Sequence, residues 1–492
     1  MDDEEKQARR NDGEDHYKRW LSYVNEVALE LRQLGQAVLP MMMASFLIFS
    51  KILISMLFLG RLGDAELAGG SQAIGFANIS GYNVLMGLAL GMEPICGQAF
   101  GARQWAVLTQ TLHKTILLLL IVTVPVAIIW LNVQPILLKL GQDAVITSIT
   151  KDYLLWSLPD LVAQALLQPL NIFLRTQNHI NALTIATAFA ALLHIPATYF
   201  FTFYLGWGVK GVAIASVCNT INNNLAIMAF LFISDNVPKI WTGLSTDCLR
   251  GWGRLLKLGL PNAVAACLQW GCYQVLLLLC GLLPDPKSSV AAMGILTQTT
   301  GVMYLFPASL GMVLATRVGN ELGARRPAAA RRTAAVGLAL AATGGLLAFA
   351  FAAGMRRSWG RMFTDDPVTL ALTATALPIV GLCELGNSPQ TAGCGVLRGS
   401  ARPATGAQIN LGAFYLVGMP VAVIAGFPLG LGLRGLWFGI VAAQASCVCL
   451  VLWAIVRTDW EKEATKAEVL AAEGTIDGGG GQQSGLTEPL VT

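Results

Sequence analysis

The sequence predicts an all-α protein that crosses a membrane about twelve times, in two similar halves of six helices. Three observations predict this fold class. The apolar residues come in blocks of about 20 or more. Only 13% of the 492 residues are charged, and the mean hydropathy is +0.59, which is typical of membrane proteins rather than of water-soluble domains. Three short motifs also recur in the same order in both halves.

The chain begins with a charged segment, residues 1–33, that contains no apolar stretch of the signal-peptide kind. We expect this segment to form an N-terminal tail in the cytoplasm. Insertion into the membrane then depends on the first true span.

Twelve apolar blocks follow, and each is long enough to span a bilayer. Gly and Pro interrupt many of them, which transmembrane bundles tolerate. We expect two lobes, at 34–233 and 256–456, joined by a flexible polar linker at 234–255. The predicted spans are 36–59, 71–98, 114–138, 150–172, 182–205, 208–233, 256–283, 290–315, 333–354, 367–396, 405–427 and 432–456.

The orientation follows from the basic residues. An even number of spans places both chain ends on one side, and placing them in the cytoplasm puts most of the 33 Lys and Arg residues there. Residues 457–492 turn polar and then glycine-rich. Such a composition buries too little apolar surface to fold, so we expect a disordered cytoplasmic tail.

An internal repeat relates the two halves. Each half contributes an even number of spans, so the halves are expected to be related by an axis along the membrane normal, an arrangement that suits alternating access. The matched motifs are GQAFGAR at 97–103 with GNELGAR at 319–325, LR at 174–175 with LR at 397–398, and GVKG at 208–211 with GLRG at 432–435.

Several classes of function are excluded by the sequence. The net charge of +4 is small and no long basic block occurs, so nucleic acid is not an expected partner. The chain lacks the GxxxxGK[ST] phosphate-binding motif and any constellation of nucleophile and base. The 10 cysteines form no CxxC pair, so we expect buried thiols rather than a metal site or a disulfide framework. No enzyme and no cofactor is predicted.

Ionisable residues inside spans are costly and therefore indicate function. Glu384 lies in the middle of the tenth predicted span, with Asn387 one turn later on the same face. We predict that Glu384 binds the coupling proton or cation.

Polar side chains in the seventh and eighth spans are candidates for lining a substrate cavity, together with Asn387. Hydrogen bonding between helices is the alternative reading of the same amides. These candidates are Gln269, Tyr273, Gln274, Gln298 and Tyr304. Aromatic residues that suit flat organic ligands are Trp270, Phe306 and Tyr415.

Four further residues are predicted to be structural or gating residues. Glu93 precedes Pro94 in the second span, where it can pair with Arg175. Asp160 is a candidate partner for Lys51 of the first span. Arg398 occupies the same place in the second repeat as Arg175 does in the first.

Four motifs resemble those of the multidrug and toxic compound extrusion (MATE) family, and specifically of its plant detoxification efflux carriers. The resemblance covers roughly 34–457. It implies twelve helices in two lobes, a V-shaped central cavity, and antiport of organic compounds against protons or sodium. The motifs are MEPICGQAFGA at 92–102, CGLLPDP at 280–286, ATRVGNELGA at 315–324 and GCGVLRGSARP at 393–403.

Glu384 matches an acid that the family uses for coupling in this helix. In the seventh helix the sequence departs from the family, because Gln269 and Gln274 stand where many eukaryotic members carry glutamates. Amides cannot titrate near neutral pH. Coupling through the seventh helix is therefore not expected here.

The resemblance implies a multidrug efflux antiporter that exports small organic molecules, such as organic cations, metabolites or hormones, in exchange for protons or sodium. Its expected partners are the substrate and the lipid bilayer, and we expect a monomer in the plasma membrane or in a vacuolar or late endosomal membrane. A different reading is a membrane adaptor with weak transport that recruits partners through its cytoplasmic tails.

The predicted orientation can be tested with tags placed after Met1 and after Thr492. Both tags should be accessible only from the cytosol, because the basic residues favour that side. Antibody labelling of intact and of permeabilised cells measures this. Labelling of either tag on intact cells would contradict the orientation.

Overall fold

The computed structural model describes residues 2–234 and 251–476, which form helices and no strand. The long helices of the N-terminal lobe are α1 (Asp2–Leu62), α2 (Asp64–Gly101), α3 (Trp105–Leu131), α4 (Ala144–Thr176), α5 (Ile180–Tyr204) and α6 (Val209–Ile233), and a short helix at Val133–Lys139 lies between α3 and α4 in the chain. The C-terminal lobe consists of α7 (Trp252–Cys280), α8 (Pro286–Gly323), α9 (Pro327–Met355), α10 (Pro367–Gly399), α11 (Pro403–Gly426) and α12 (Leu433–Val456). A last helix, α13, covers Trp460–Ile476.

The helix count agrees with the predicted fold class. Eleven helices of the described residues are long and apolar enough to cross a membrane. The twelfth span is α4, whose 33 residues include Lys151, Asp152 and Asp160, which make it less apolar than the others. It packs against α2, α3 and α6 inside the N-terminal lobe, where its polar residues find protein partners rather than lipid.

Both chain ends extend the bundle on one membrane face, which we call the tail face. α1 is already helical from Asp2, so the predicted tail at 1–33 is in fact continuous with the first span. Near this end of α1, Glu30 pairs with Arg317 of α8, with the Arg317 Nε at 3.0 Å from Glu30 Oε1. The first helix of the N-terminal lobe is thereby tied to the C-terminal lobe.

The prediction of disorder from residue 457 onward is wrong for residues 460–476. They form α13, which buries Ala464 and Ala467 and contacts α2 and α3 as well as α8 and α9. The two small residues are three positions apart and share one helix face, a pattern that the polar composition conceals. Asp459 accepts a hydrogen bond from the Lys462 backbone N–H at 3.2 Å, which caps the helix start. Residues 477–492 and most of the predicted linker lie outside the described residues.

The internal repeat is visible in the backbone. Arg103 and Arg325 both have a φ of 57°, and Asn178 and Ala401 have φ values of 65° and 58°. These left-handed residues follow the tail-face ends of α2, α8, α4 and α10. Matching strained turns at matching sequence positions indicate duplication of one six-helix unit.

The two lobes meet tightly on the tail face, where the repeated glycine motifs pack against each other. A Cβ on Gly97 would lie 3.5 Å from the Cα of Gly319. A Cβ on Gly101 would overlap the Asn320 carbonyl, and one on Gly323 would overlap the Gln98 carbonyl. Only glycine allows this approach at positions 101 and 323, so the duplicated motif forms the seal between the lobes.

Hydrogen bonds across this seal follow the same pseudo-twofold symmetry. The Gln98 amide of α2 donates to the Gly399 carbonyl of α10 at 3.1 Å. Its counterpart in the repeat, Asn320 of α8, donates to the Thr176 carbonyl of α4 at 3.2 Å. Each lobe therefore supplies one donor and one acceptor. The tail face is closed by paired contacts rather than by one loop.

The seal can be tested with Gly101→Ala. The added methyl group meets the Asn320 backbone, so we expect a loss of about 1–3 kcal/mol in the free energy of unfolding, as for overpacked cores. Gly75→Ala, in the same helix, is the matched control. No neighbouring atom lies within 4 Å of the Cβ that this change adds. Melting temperatures in detergent measure both variants. Equal melting temperatures for the two would contradict the packing described here.

Candidate functional site

A cavity of about 590 Å³ lies between the two lobes. Its lining runs from Met56 and Ser71, near the face opposite the tails, to Arg398 and Pro403, near the tail face. Because the seal closes the tail face, the cavity opens toward the opposite face. The volume is within the range of protein sites for small organic ligands.

The structure brings the predicted cavity residues together. Gln269, Tyr273 and Gln274 of α7 line the cavity with Gln298 and Tyr304 of α8. Asn387 of α10 lines a recess of about 20 Å³ that shares Gln269, Tyr273 and Tyr304 with the cavity wall. The recess is large enough for about one water molecule. All six side chains thus belong to one connected space.

Sequence reasoning missed an equal share of the polar lining. In α2, a π-helical turn at Asn78–Tyr82 shifts the backbone hydrogen bonds of the helix next to the cavity. Such turns are frequent at functional sites. Amides inside apolar spans are the sequence signal that could have identified this group. The additional lining amides are Asn78, Asn83, Asn262, Gln390 and Asn410.

Among the described residues, the lining of this cavity contains no carboxylate, and its one charged residue is Arg398. Trp270 also lines the cavity, with its ring centroid 6.1 Å from that of Tyr304 in an edge-to-face arrangement. Two other predicted aromatics lie elsewhere. Phe306 packs against Gly344 of α9, and the Tyr415 hydroxyl donates to the Leu268 carbonyl at 2.8 Å.

Glu384 is buried inside the C-terminal lobe, with 1% of its surface exposed. The Asn387 amide donates to its Oε2 at 2.9 Å, while Oε1 has no hydrogen-bond partner among the described residues. Gln444 of α12 in turn donates to the Asn387 Oδ1 at 3.2 Å. Asn387 therefore connects the carboxyl group to the recess. No cationic side chain among the described residues pairs with Glu384.

Glu93 lies below the floor of the cavity, outside its lining, and pairs with an arginine from each lobe. Its Oε1 accepts from Arg175 at 2.6 Å, and its Oε2 accepts from Arg398 at 3.1 Å. The Glu93 side chain is fully buried, and those of Arg175 and Arg398 are 4% and 17% exposed. The predicted Glu93–Arg175 pair is confirmed. Arg398 adds a link across the lobes just above the glycine seal.

The expected pairing of Lys51 with Asp160 is wrong. Lys51 donates to the Thr220 hydroxyl at 3.1 Å, and Asp160 accepts from the Tyr82 hydroxyl at 2.7 Å. Each side chain has a nearer neutral partner within the N-terminal lobe, so neither needs the other. Asp160 contacts none of Glu93, Arg175 and Arg398, so it is not part of the cavity floor.

Metal ligands and disulfides are not features of the described residues. No group of three or more His, Cys, Asp or Glu side chains in residues 2–234 and 251–476 is placed to hold a metal ion. The nine cysteines of these segments are free, and five of them are buried.

Comparison with known proteins identifies close similarity to one family. The MatE family model matches residues 40–200 and again 261–424. Protein DETOXIFICATION 48 from Arabidopsis thaliana is 50% identical over 93% of this chain and 86% of its own length. Protein DETOXIFICATION 53 from the same plant is 50% identical over 91% of this chain and 92% of its own length.

A solved structure agrees with these matches. The crystal structure of the eukaryotic MATE transporter AtDTX14 superposes with a TM-score of 0.86 at 30% identity, covering 91% of this chain and all of the other. The two segments matched by the family model correspond to the two lobes, which supports the duplication.

The charge arrangement at the cavity floor predicts an order of stabilities. Glu93→Leu leaves two arginines without an anion and should lower the free energy of unfolding by about 3–5 kcal/mol. Arg175→Met leaves a neutral Glu93–Arg398 pair and should cost less. Thermal melts in detergent measure both variants. A larger loss in Arg175→Met than in Glu93→Leu would contradict this charge balance.

Proposed function

Because this chain belongs to the multidrug and toxic compound extrusion family of membrane transporters, we propose that it is a secondary active antiporter that exports small organic molecules in exchange for protons. Export of compounds through a helical membrane protein, without enzymatic chemistry, is the function of the family. What we propose for this chain is the identity of the coupling ion and of the residue that carries it.

The observation that carries this proposal is the environment of Glu384. A carboxylate without a cation beside it is costly in an apolar bundle, and taking up a proton removes that cost. Its free Oε1 and its hydrogen bond to Asn387 leave it able to exchange a proton through the recess. The glutamines of α7 offer no competing titratable group.

The closed tail face supports alternating access as the mechanism. Among the described residues the glycine seal closes the tail face below the cavity, so substrate and protons exchange at the opposite face in this conformation. Opening of the glycine seal would expose the same cavity to the tail face. One lobe must then rock against the other, because the seal is made of rigid helix ends.

We propose further that the tail face is cytoplasmic, in a plasma membrane or endomembrane, and that the protein works as a monomer. The basic bias of the sequence supports the orientation. In that orientation the structure is the state that releases substrate away from the cytoplasm. Sodium in place of the proton is the alternative coupling ion.

The second candidate function is a membrane adaptor with weak transport and with partners bound at its tails. The replacement of both α7 acids by Gln269 and Gln274 favours it. Flux assays in liposomes separate the two functions. Folded protein that shows no flux under a proton or a sodium gradient would favour the adaptor.

Glu384→Gln tests the proposed coupling. The change keeps the size and hydrogen-bonding capacity of the side chain but removes the titratable group, so folding should be retained and pH-driven export should fall at least about a hundredfold. Export of a panel of fluorescent organic compounds from liposomes with an imposed pH gradient measures this.

Two control variants accompany it. Glu384→Asp keeps a carboxyl group and should retain part of the flux, while Glu66→Gln, in the first turn of α2, should behave as the parent protein does. Normal pH-driven flux in Glu384→Gln would show that another group carries the proton.

A further inference from the structure

The ion cluster at the cavity floor, formed by Glu93, Arg175 and Arg398, carries a net charge of one positive unit. Arginine stays protonated in proteins, so Arg175 and Arg398 contribute two positive charges. Glu93 is the only carboxylate that pairs with either of them among the described residues. A buried charge that lacks a counter-ion is costly, so the cluster favours the approach of one more anion.

The surplus follows from the duplication of the lobe. Arg175 and Arg398 occupy equivalent positions in the two repeats. In the register that aligns Gly97 with Gly319, the counterpart of Glu93 is Ala315. The repeat therefore supplies two arginines and only one acid.

Arg398 is the arginine that a ligand can reach. It lines the cavity and is 17% exposed, whereas Arg175 is 4% exposed. Only its Nε donates to Glu93, and its two terminal amino groups have no acceptor among the described residues. These amino groups form one edge of the planar fork that binds carboxylates with two hydrogen bonds.

The remaining walls suit an organic anion better than a cation. The lining residues that the structure describes offer no carboxylate as a counter-ion for a cation, and their amides can donate hydrogen bonds to an anion. The Trp270 and Tyr304 rings and the apolar side chains of Phe49 and Ile52 line the same space, which suits a flat apolar body. A volume of about 590 Å³ also far exceeds that of an inorganic anion.

We propose that Arg398 binds the acidic group of an organic anion, and that Glu93 competes with this anion for Arg398 when the lobes close at the tail face. This inference rests on the proposed export function and assigns its substrate class. Glu93 and Arg175 belong to the N-terminal lobe, and Arg398 belongs to the C-terminal lobe. When the lobes part at the tail face, Glu93 stays with Arg175 and Arg398 loses its partner.

The exchange gives the transport cycle its direction. With the tail face open, Arg398 is free and binds the anion entering from that side. As the seal closes, Glu93 returns to Arg398 and competes with the bound anion. The anion is held less tightly in the closed state, so it leaves through the opening on the opposite face. The same arginine thus serves the substrate in one state and the gate in the other.

The test measures the binding of 2-naphthoate and of its uncharged isostere 2-naphthamide to the full-length protein in nanodiscs, by equilibrium dialysis. The parent protein should bind 2-naphthoate at least about tenfold more tightly, as expected for a charge-assisted pair. Arg398→Gln should remove this preference, whereas Arg398→Lys should retain part of it. The affinity for 2-naphthamide should be the same in all variants, which also shows that they are folded.

Glu93→Gln gives the decisive comparison, because it removes the competitor of the anion. It should raise the affinity for 2-naphthoate about tenfold, opposite in direction to the effect of Arg398→Gln. If Glu93→Gln does not fold, Glu93→Asp, whose shorter side chain reaches Arg398 less well, should give a smaller increase. Equal weakening by changes at Glu93 and at Arg398 would show that the pair is only structural and would overturn the proposal.

Two further outcomes are decisive. Displacement of 2-naphthoate by an equal concentration of nitrate, together with equal binding of 2-naphthamide, would assign the site to inorganic anions and overturn the proposal. Glu66→Gln, which lies outside the cavity lining, should bind 2-naphthoate as the parent protein does, and all binding is measured without an ion gradient. Failure of proton coupling in flux assays would therefore leave this binding result intact, so the two proposals fail separately.

Discussion

The buried carboxylate of Glu93 is the interaction on which the arrangement of the lobes depends. It lies fully buried between Arg175 of its own lobe and Arg398 of the other. Breaking such a cluster leaves uncompensated charge in a medium that solvates it poorly. The glycine seal brings the helices close enough for these contacts, and the ion cluster makes the closed state sensitive to charge. Closure is thus both a matter of packing and of electrostatics.

Helix α10 carries both the proposed proton carrier and the proposed anion-binding arginine. Glu384 lies in its middle and Arg398 near its tail-face end, fourteen positions and therefore about 21 Å apart along the helix. We propose that Glu384 exchanges a proton away from lipid and bulk water, and that Arg398 binds the negatively charged group of the substrate at the cavity floor. Because both move with the C-terminal lobe, a rocking motion changes the environment of each at the same time.

Much of this molecule could be predicted from the sequence because membrane spans, repeats and intramembrane charges have strong local signals. The spans, the duplication, the Glu93–Arg175 pair and the position of Glu384 in α10 follow from such signals. The partner of Lys51, the helix α13 and the amides of α2 could not be predicted. They depend on which helix faces pack together, and apolar helices carry little periodicity to show it. To infer the surplus positive charge at Arg398, both the alignment of the two repeats and the positions of the side chains in the structure were required.

The distance between the lobes on the tail face tests the account most directly. Ala106 and Ala328 are exposed residues at equivalent positions in the first turns of α3 and α9, one in each lobe. Spin labels at these two sites, measured by pulsed electron paramagnetic resonance in nanodiscs, should show a short and a long distance. Removing the charge of Glu93 should shift the population toward the long one. A single unchanged distance in the parent protein and in the Glu93 variant would contradict a gate held by this carboxylate.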